Sequence, residues 1–173
     1  MVDLKGKKIL MVVAPSNFRD EELKEPQAIF SRSGAEVTIA SKGVKRATGM
    51  FGATVDVDIE LAEVSADVYS AVVFVGGSGS DVYFNDPQAH ALAVNAFEAG
   101  KIVAAICIAP STLANAGLLK GKKATAFSSA KDNLVQKGAI FTGAAVERDG
   151  KIITGNGPDA ADTFGNAVAS AIV

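Results

Sequence analysis

The sequence contains one cysteine, one histidine and no tryptophan among its 173 residues. A single cysteine excludes both an intramolecular disulfide framework and a zinc site built from cysteines. The single histidine, His90, excludes a histidine-rich metal site as well. No metal is therefore expected, and any chemistry of a thiol must centre on Cys107.

Positive and negative charges nearly balance, and no apolar run is longer than a strand. The formal net charge is −2, and no basic cluster is large enough to cover a face, which argues against nucleic acid as a partner. The longest apolar runs have the length of strands, and the N-terminus carries no signal-peptide core. No membrane association is expected, and the cytoplasm is the expected location.

Strand-like and helix-like segments alternate along the chain. Strands are predicted at 8–14, 36–41, 70–75, 101–107 and 123–127 and helices at 20–33, 87–99 and 160–172. A turn with a short helix is predicted at 108–117, a polar connection at 56–60 and a hairpin at 144–154. This alternation favours one domain over residues 1–173 with a flavodoxin-like, doubly wound α/β fold. Its mostly parallel sheet would form the middle layer of a three-layer α/β/α sandwich.

Cys107 stands where a predicted strand ends and a predicted helix begins. Open α/β folds bind their ligands at the carboxyl ends of parallel strands. The amino end of a helix also favours a thiolate over a thiol, which makes Cys107 a candidate nucleophile. A free cysteine is equally common as a small core residue, so its position alone leaves both interpretations open.

Three segments should meet at this edge of the sheet, because each directly follows a predicted strand. They are the loop and helix start at 15–26, the pair Gly76-Gly77, and Cys107 with its following turn. Taken alone, Gly76-Gly77 is typical of a tight turn. Glu22 is typical of an acidic residue in the first turn of a helix, where its negative charge interacts favourably with the helix dipole.

The ordered motifs of the chain resemble the PfpI-like family, which includes intracellular PfpI-type peptidases, glyoxalase III-type enzymes and the Parkinson's-associated deglycase-like protein. The matching segments are 18–23 with Pro26, 73–77, 104–110 with Leu113, 116–123, 130–132 and 155–158. Each segment is a weak match alone, but their order and spacing extend over nearly the whole chain. The resemblance thus implies the same fold as the alternation of elements.

The resemblance also implies roles for individual residues. Cys107 would be the nucleophile at a strained strand-to-helix elbow, and Glu22 would share a proton with its sulfur. Glu21 is the alternative acid, and only the four-residue spacing to Pro26 favours Glu22. The backbone N–H groups of Gly77 and Ile108 would form the oxyanion site.

The chain departs from the family at both positions where relatives carry a histidine. PfpI-type peptidases place one directly after the cysteine, where this chain has Ile108, and the deglycase-like branch places one where this chain has Phe127. His90 is predicted to lie in the middle of a helix as a surface or packing residue. Asp81 has the spacing of an acid that reaches a neighbouring subunit in the peptidase branch, so it is a candidate subunit contact.

Two functions of different classes follow from this resemblance. The first is an enzyme that acts on small reactive carbonyls through Cys107 and Glu22, a chemistry that needs no metal or organic cofactor. The second is a redox-responsive or stress-protective protein without turnover, in which Cys107 is oxidised. A peptidase or amidase is less favoured because no histidine is available. Family members associate as homodimers or higher homo-oligomers, so self-association is expected.

Overall fold

A seven-stranded sheet forms the centre of the computed structural model, which describes residues 1–173. The strands of the protein are β1 (Lys8–Val12), β2 (Ser16–Phe18), β3 (Glu36–Ser41), β4 (Arg46–Gly49), β5 (Thr54–Asp56), β6 (Ile59–Glu60), β7 (Ala71–Phe74), β8 (Ile102–Ile106), β9 (Lys123–Ala124), β10 (Ile140–Phe141), β11 (Val146–Asp149) and β12 (Ile152–Gly155). The central sheet has the order β11-β12-β8-β7-β1-β3-β6. All neighbours are parallel except β11 and β12, which form the predicted hairpin.

Helices cover both faces of this sheet. They are α1 (Asp20–Arg32), α2 (Pro87–Glu98), α3 (Pro110–Asn115), α4 (Lys131–Gln136) and α5 (Ala161–Ile172). Residues of α1 and α5 share one hydrophobic core, and residues of α2, α3 and α4 share the other. The predicted three-layer α/β/α sandwich with a mostly parallel sheet is therefore confirmed.

The first strand shows why apolar runs become central strands in this fold. Successive side chains of a strand point to opposite faces, so a strand covered on both sides must be apolar throughout. In β1, Ile9 and Met11 enter the core beneath α1 and α5, whereas Leu10 and Val12 enter the core beneath α2 and α3. All four side chains are buried.

The predicted strand at 123–127 is shorter in the structure and lies outside the central sheet. It ends at Ala124 and pairs only with β10. Beyond it, the amide of Thr125 donates to the side-chain oxygen of Thr154, and the amide of Phe127 donates to the carbonyl of Cys107. These tertiary hydrogen bonds replace strand pairing and bring 125–127 beside the end of β8.

A small second sheet has the strand order β2-β4-β5. Its β4–β5 hairpin is fastened to the start of α1 by Asp20, whose carboxylate accepts hydrogen bonds from the amides of Phe51 (3.2 Å) and Ala53 (3.0 Å). The predicted polar connection at 56–60 contains the end of β5 and all of β6. The hairpin tip is thereby held close to the carboxyl end of the central sheet.

Candidate active site

Cys107 occupies a strained elbow directly after β8. Its φ is +65°, a left-handed conformation that only one other non-glycine residue of the chain adopts. Such a conformation costs roughly 1–3 kcal/mol and persists only where the surroundings impose it. Here the amide of Cys107 donates to the carbonyl of Gly155 (3.0 Å), and its own carbonyl accepts from the amide of Phe127 (2.8 Å). The strand-to-helix elbow that the resemblance implied is therefore present.

Glu22 lies on the buried face of α1. The buried residues of this helix are Glu22, Leu23, Pro26, Ile29 and Phe30, a spacing that forms one stripe. The Glu22 side chain has no exposed surface, and neither carboxyl oxygen has a hydrogen-bond partner. An unpartnered buried carboxyl group is energetically costly, so this geometry contradicts the interpretation of Glu22 as a surface acid of the helix first turn.

Glu21 points the other way and is not the acid of the site. Its carboxylate pairs with the Nε of Arg19, and it is partly exposed. The one-residue difference between Glu21 and Glu22 is a rotation of about 100° around the helix axis. That rotation decides which of the two acids faces the core.

Glu22 and Cys107 approach each other across Gly76. A β-carbon added to Gly76 would collide with Oε1 of Glu22, and it would lie 2.6 Å from both Cβ of Cys107 and the carbonyl oxygen of Ile106. Gly76 thus creates the space that the two functional side chains share. The sequence marked Gly76-Gly77 only as a turn that supplies an oxyanion donor, so this role of Gly76 was missed.

Burial raises the pKa of Glu22 from 4.5 to about 8. The Cys107 thiol, the charge of Arg19 and the amide of Gly76 act in the opposite direction. None of them forms a hydrogen bond of conventional geometry with the carboxyl group, so they do not outweigh the loss of water. Glu22 is therefore mostly protonated at neutral pH.

The pKa of Cys107 is also raised, to about 12. Burial is the main cause and the negative charge of ionised Glu22 is the second, while the amides of Gly77 and Ile108 lower the pKa. This direction is opposite to the one that a helix amino end alone suggests. The helix α3 has only six residues, and Cys107 is 9% exposed, so desolvation prevails over the dipole.

The predicted oxyanion donors face the sulfur of Cys107. The amides of both Gly77 and Ile108 are near enough to stabilise a thiolate. Gly77 has a φ of +104°, and a β-carbon there would collide with the backbone of residues 17–19. Glycine is thus required at this turn, both for its conformation and for the close approach of the chain.

No imidazole lies at the site. Phe127 lies beside the elbow and is 44% exposed, and Ile108 follows Cys107 directly. His90 lies in α2, where its Nε2 contacts the carbonyl oxygen of Phe84 at 2.7 Å. Asp81 is exposed on the short 3₁₀ helix that follows Gly77, and its predicted role as a subunit contact stays a prediction.

A cavity of about 410 Å³ adjoins the elbow on the side of Phe127. Its lining includes Phe127, Lys131, Phe141, Asn156 and Gly157. Cys107 and Glu22 are not among its lining residues. No group of three or more His, Cys, Asp or Glu side chains that could hold a metal ion is present.

Residues 7–171 match the model of the DJ-1/PfpI family. The chain belongs to this family. It is 34% identical to a protein of Thermococcus kodakarensis named a deglycase and 36% identical to deglycase PfpI of Pyrococcus furiosus, and each match covers 86% of this chain and 90% of the relative. It is 42% identical to an uncharacterized protein of Methanocaldococcus jannaschii, over 98% of this chain and 84% of that protein.

Solved structures agree with this assignment. The ThiJ/PfpI domain protein of Brachyspira murdochii superimposes with a TM-score of 0.94 at 33% identity, and the match covers 97% of each chain. The DJ-1/PfpI structural neighbours share the large, mostly parallel sheet flanked by helices. No helix of the protein combines the length and the apolar character needed to cross a membrane.

Proposed function

We propose that this DJ-1/PfpI protein converts small reactive 2-oxoaldehydes, with methylglyoxal as the representative substrate, through Cys107 and Glu22. The observation that carries the proposal is the carboxyl group of Glu22, which is buried without a partner and faces the same glycine as Cys107. Such a group is costly to keep in a core, and a pKa of about 8 suits a proton carrier near neutral pH. The relatives include proteins named deglycases, which favours the adducts of such carbonyls as a related substrate class.

The reaction begins when the ionised fraction of Glu22 takes the proton of the Cys107 thiol. The thiolate adds to the aldehyde carbon, and the resulting oxyanion faces the amides of Gly77 and Ile108. Glu22 gives the thiol proton to this oxygen, then takes the proton of the former aldehyde carbon and delivers it to the neighbouring carbon, while the hydroxyl proton passes to the neighbouring oxygen. The product of that shift is a thioester of lactate, which water hydrolyses to lactate and the free thiol.

The absence of an imidazole limits this site in two ways. A histidine partner would help to form the thiolate and to activate the water that releases the product. Glu22 must do both here, so we expect slow turnover in which thioester hydrolysis contributes to the rate limit. Amide hydrolysis demands more from the same base, which disfavours a peptidase or amidase.

Oxidation of Cys107 without turnover is the alternative function. A protonated Glu22 could donate a hydrogen bond to a sulfinic acid at Cys107. Burial and the raised pKa of Cys107 disfavour the thiolate in both functions, because the thiolate is the reactive form in each. The carbonyl reaction is the better supported of the two because it uses the buried Glu22 as a proton carrier.

Replacing Cys107 with alanine is expected to abolish lactate formation from methylglyoxal, because the covalent adduct cannot form. Lactate is measured in an end-point assay over hours to detect slow turnover, and folding is checked by circular dichroism. His90→Gln is the matched control and should retain full activity, since the side-chain hydrogen bond of His90 is to the carbonyl of Phe84 and not to a residue of the site. Equal lactate from the Cys107→Ala variant, or none from the unmodified protein, would rule out the proposed reaction.

Self-association is a further expectation of this proposal. Exposed apolar side chains stand at the edge of the site, among them Phe51 (64% exposed) and Phe127 (44% exposed). We expect a homodimer or larger homo-oligomer, which light scattering coupled to size-exclusion chromatography would measure. A monomer at micromolar concentration would contradict this expectation.

A further inference from the structure

We propose that Arg19 forms an anion-binding subsite beside Cys107, and that it holds the carboxylate of a small oxo acid or of the product lactate. The identity of these ligands rests on the proposed function. The subsite itself rests on the position of Arg19, which neither the sequence nor the family resemblance singled out.

The backbone of Arg19 is fixed against the oxyanion turn. Its amide donates a hydrogen bond of 2.9 Å to the carbonyl of Gly76, and Gly77 packs so closely that a β-carbon would collide with the same amide. Arg19 therefore cannot shift without moving the two glycines that define the site. The Cβ of Arg19 is therefore held in a fixed position relative to the elbow at Cys107.

The side chain of Arg19 is held in one orientation by two contacts. Its Nε donates to Glu21, and its guanidinium carbon lies 4.6 Å from the centre of the Phe51 ring. Phe51 belongs to the hairpin tip that Asp20 fastens to α1. A guanidinium ordered in advance loses less entropy when it binds a ligand than a free lysine or arginine would.

The terminal nitrogens of Arg19 are available to a ligand. Of the guanidinium nitrogens, only Nε takes part in a hydrogen bond, and the side chain is 30% exposed. The hydrogen bond to Glu21 is the main cause that raises the pKa of Arg19, and the charges of Glu22 and Cys107 raise it further, which places the guanidinium within electrostatic range of the reacting atoms. Two N–H groups on one edge of a guanidinium match the two oxygens of a carboxylate.

Two alkylating agents of nearly equal size test this subsite. Iodoacetate carries a carboxylate and iodoacetamide does not, and each alkylates the Cys107 sulfur by forming a C–S bond and expelling iodide while the thiol proton goes to solvent. We expect Arg19→Gln to lower the ratio of the iodoacetate rate to the iodoacetamide rate about tenfold, the loss of one charge-assisted contact. The loss of a positive charge near the thiolate changes both rates by the same factor, which cancels in this ratio, so a fall in the ratio reports the carboxylate of iodoacetate alone.

A second variant should change the ratio in the opposite direction. Glu21 competes with an anionic ligand for Arg19, so Glu21→Gln should raise the iodoacetate preference. Arg148→Gln, on the edge strand β11, is the matched control and should leave the ratio unchanged. Alkylation is followed by mass spectrometry at constant ionic strength, with folding checked by circular dichroism.

An unchanged ratio in Arg19→Gln would overturn the subsite. Equal slowing of both reagents would also overturn it, because Arg19 would then act on the thiol and not on the anion. Alkylation requires no turnover, so these results are independent of the proposed reaction. A protein that forms no lactate but keeps the Arg19-dependent ratio would refute the proposed function and leave the subsite standing.

Discussion

Replacing Glu22 with glutamine is expected to raise the free energy of unfolding by about 3 kcal/mol at pH 7 and to lower methylglyoxal turnover at least about 100-fold. The gain in stability arises because the buried carboxyl group prefers its neutral form, whereas the unfolded chain ionises it. Glutamine has a similar shape but does not ionise, so it removes this difference in protonation between the folded and the unfolded state. The loss of activity arises because an amide neither accepts nor returns a proton.

The sign of the pH dependence follows from the raised pKa. The folded state binds the proton of Glu22 up to about pH 8, and an unfolded glutamate releases it above about pH 4.5. Stability contributed by this group is therefore fully present below about pH 4.5 and is lost as the pH rises to about 8. The slope across this window is about 1.4 kcal/mol per pH unit.

Urea unfolding at pH 5, 7 and 8.5 measures this dependence in the unmodified protein and in Glu22→Gln. The free energies of unfolding of the two proteins, plotted against pH, should converge near pH 5 and differ most at pH 8.5. Glu21→Gln is the matched control, because its carboxyl group is one residue away and partly exposed, and it should keep the slope of the unmodified protein. Parallel curves for Glu22→Gln would show that Glu22 titrates normally, which would remove the basis of its role.

The order of the elements could be predicted because the fold is set by local patterns. The strand predicted at 36–41 matches β3 in full, and the apolar runs that contain β1, β7 and β8 all become central strands. The strand at 123–127 could not be placed, because tertiary hydrogen bonds from Thr125 and Phe127 compete with strand pairing there. The strand propensity of a segment does not reflect its contacts with residues distant in the chain.

Only part of the candidate site could be predicted from the sequence. Cys107, Glu22, Gly77 and Ile108 were named from motif positions, and the structure brings all four to one edge of the sheet. The direction of the Cys107 pKa was wrongly anticipated, since the sequence shows a helix start but not the degree of burial. Arg19 was missed because its role depends on contacts with a hairpin more than thirty residues away.

Replacing Gly76 with alanine is expected to abolish lactate formation and to lower the free energy of unfolding by about 1–3 kcal/mol, the usual cost of overpacking a core. The added methyl group would lie 2.6 Å from Cβ of Cys107 and would collide with Oε1 of Glu22. One of the two side chains must move, so the proton can no longer pass between them. Lactate formation and urea unfolding measure the two effects.

Gly43→Ala separates backbone strain from collision at the site. Gly43 has a φ of +76° and open space around it, so alanine there should cost about 1–2 kcal/mol of stability without a loss of turnover. A second substitution, Glu22→Ala, should recover only the part of the stability loss of Gly76→Ala that arises from Oε1 of Glu22, because Cβ of Cys107 and the carbonyl oxygen of Ile106 still lie 2.6 Å from the added methyl group. It should not restore turnover. If stability losses at the two positions simply added, Gly76 and Glu22 would not share one space, and the contact on which the proposed proton transfer depends would be absent.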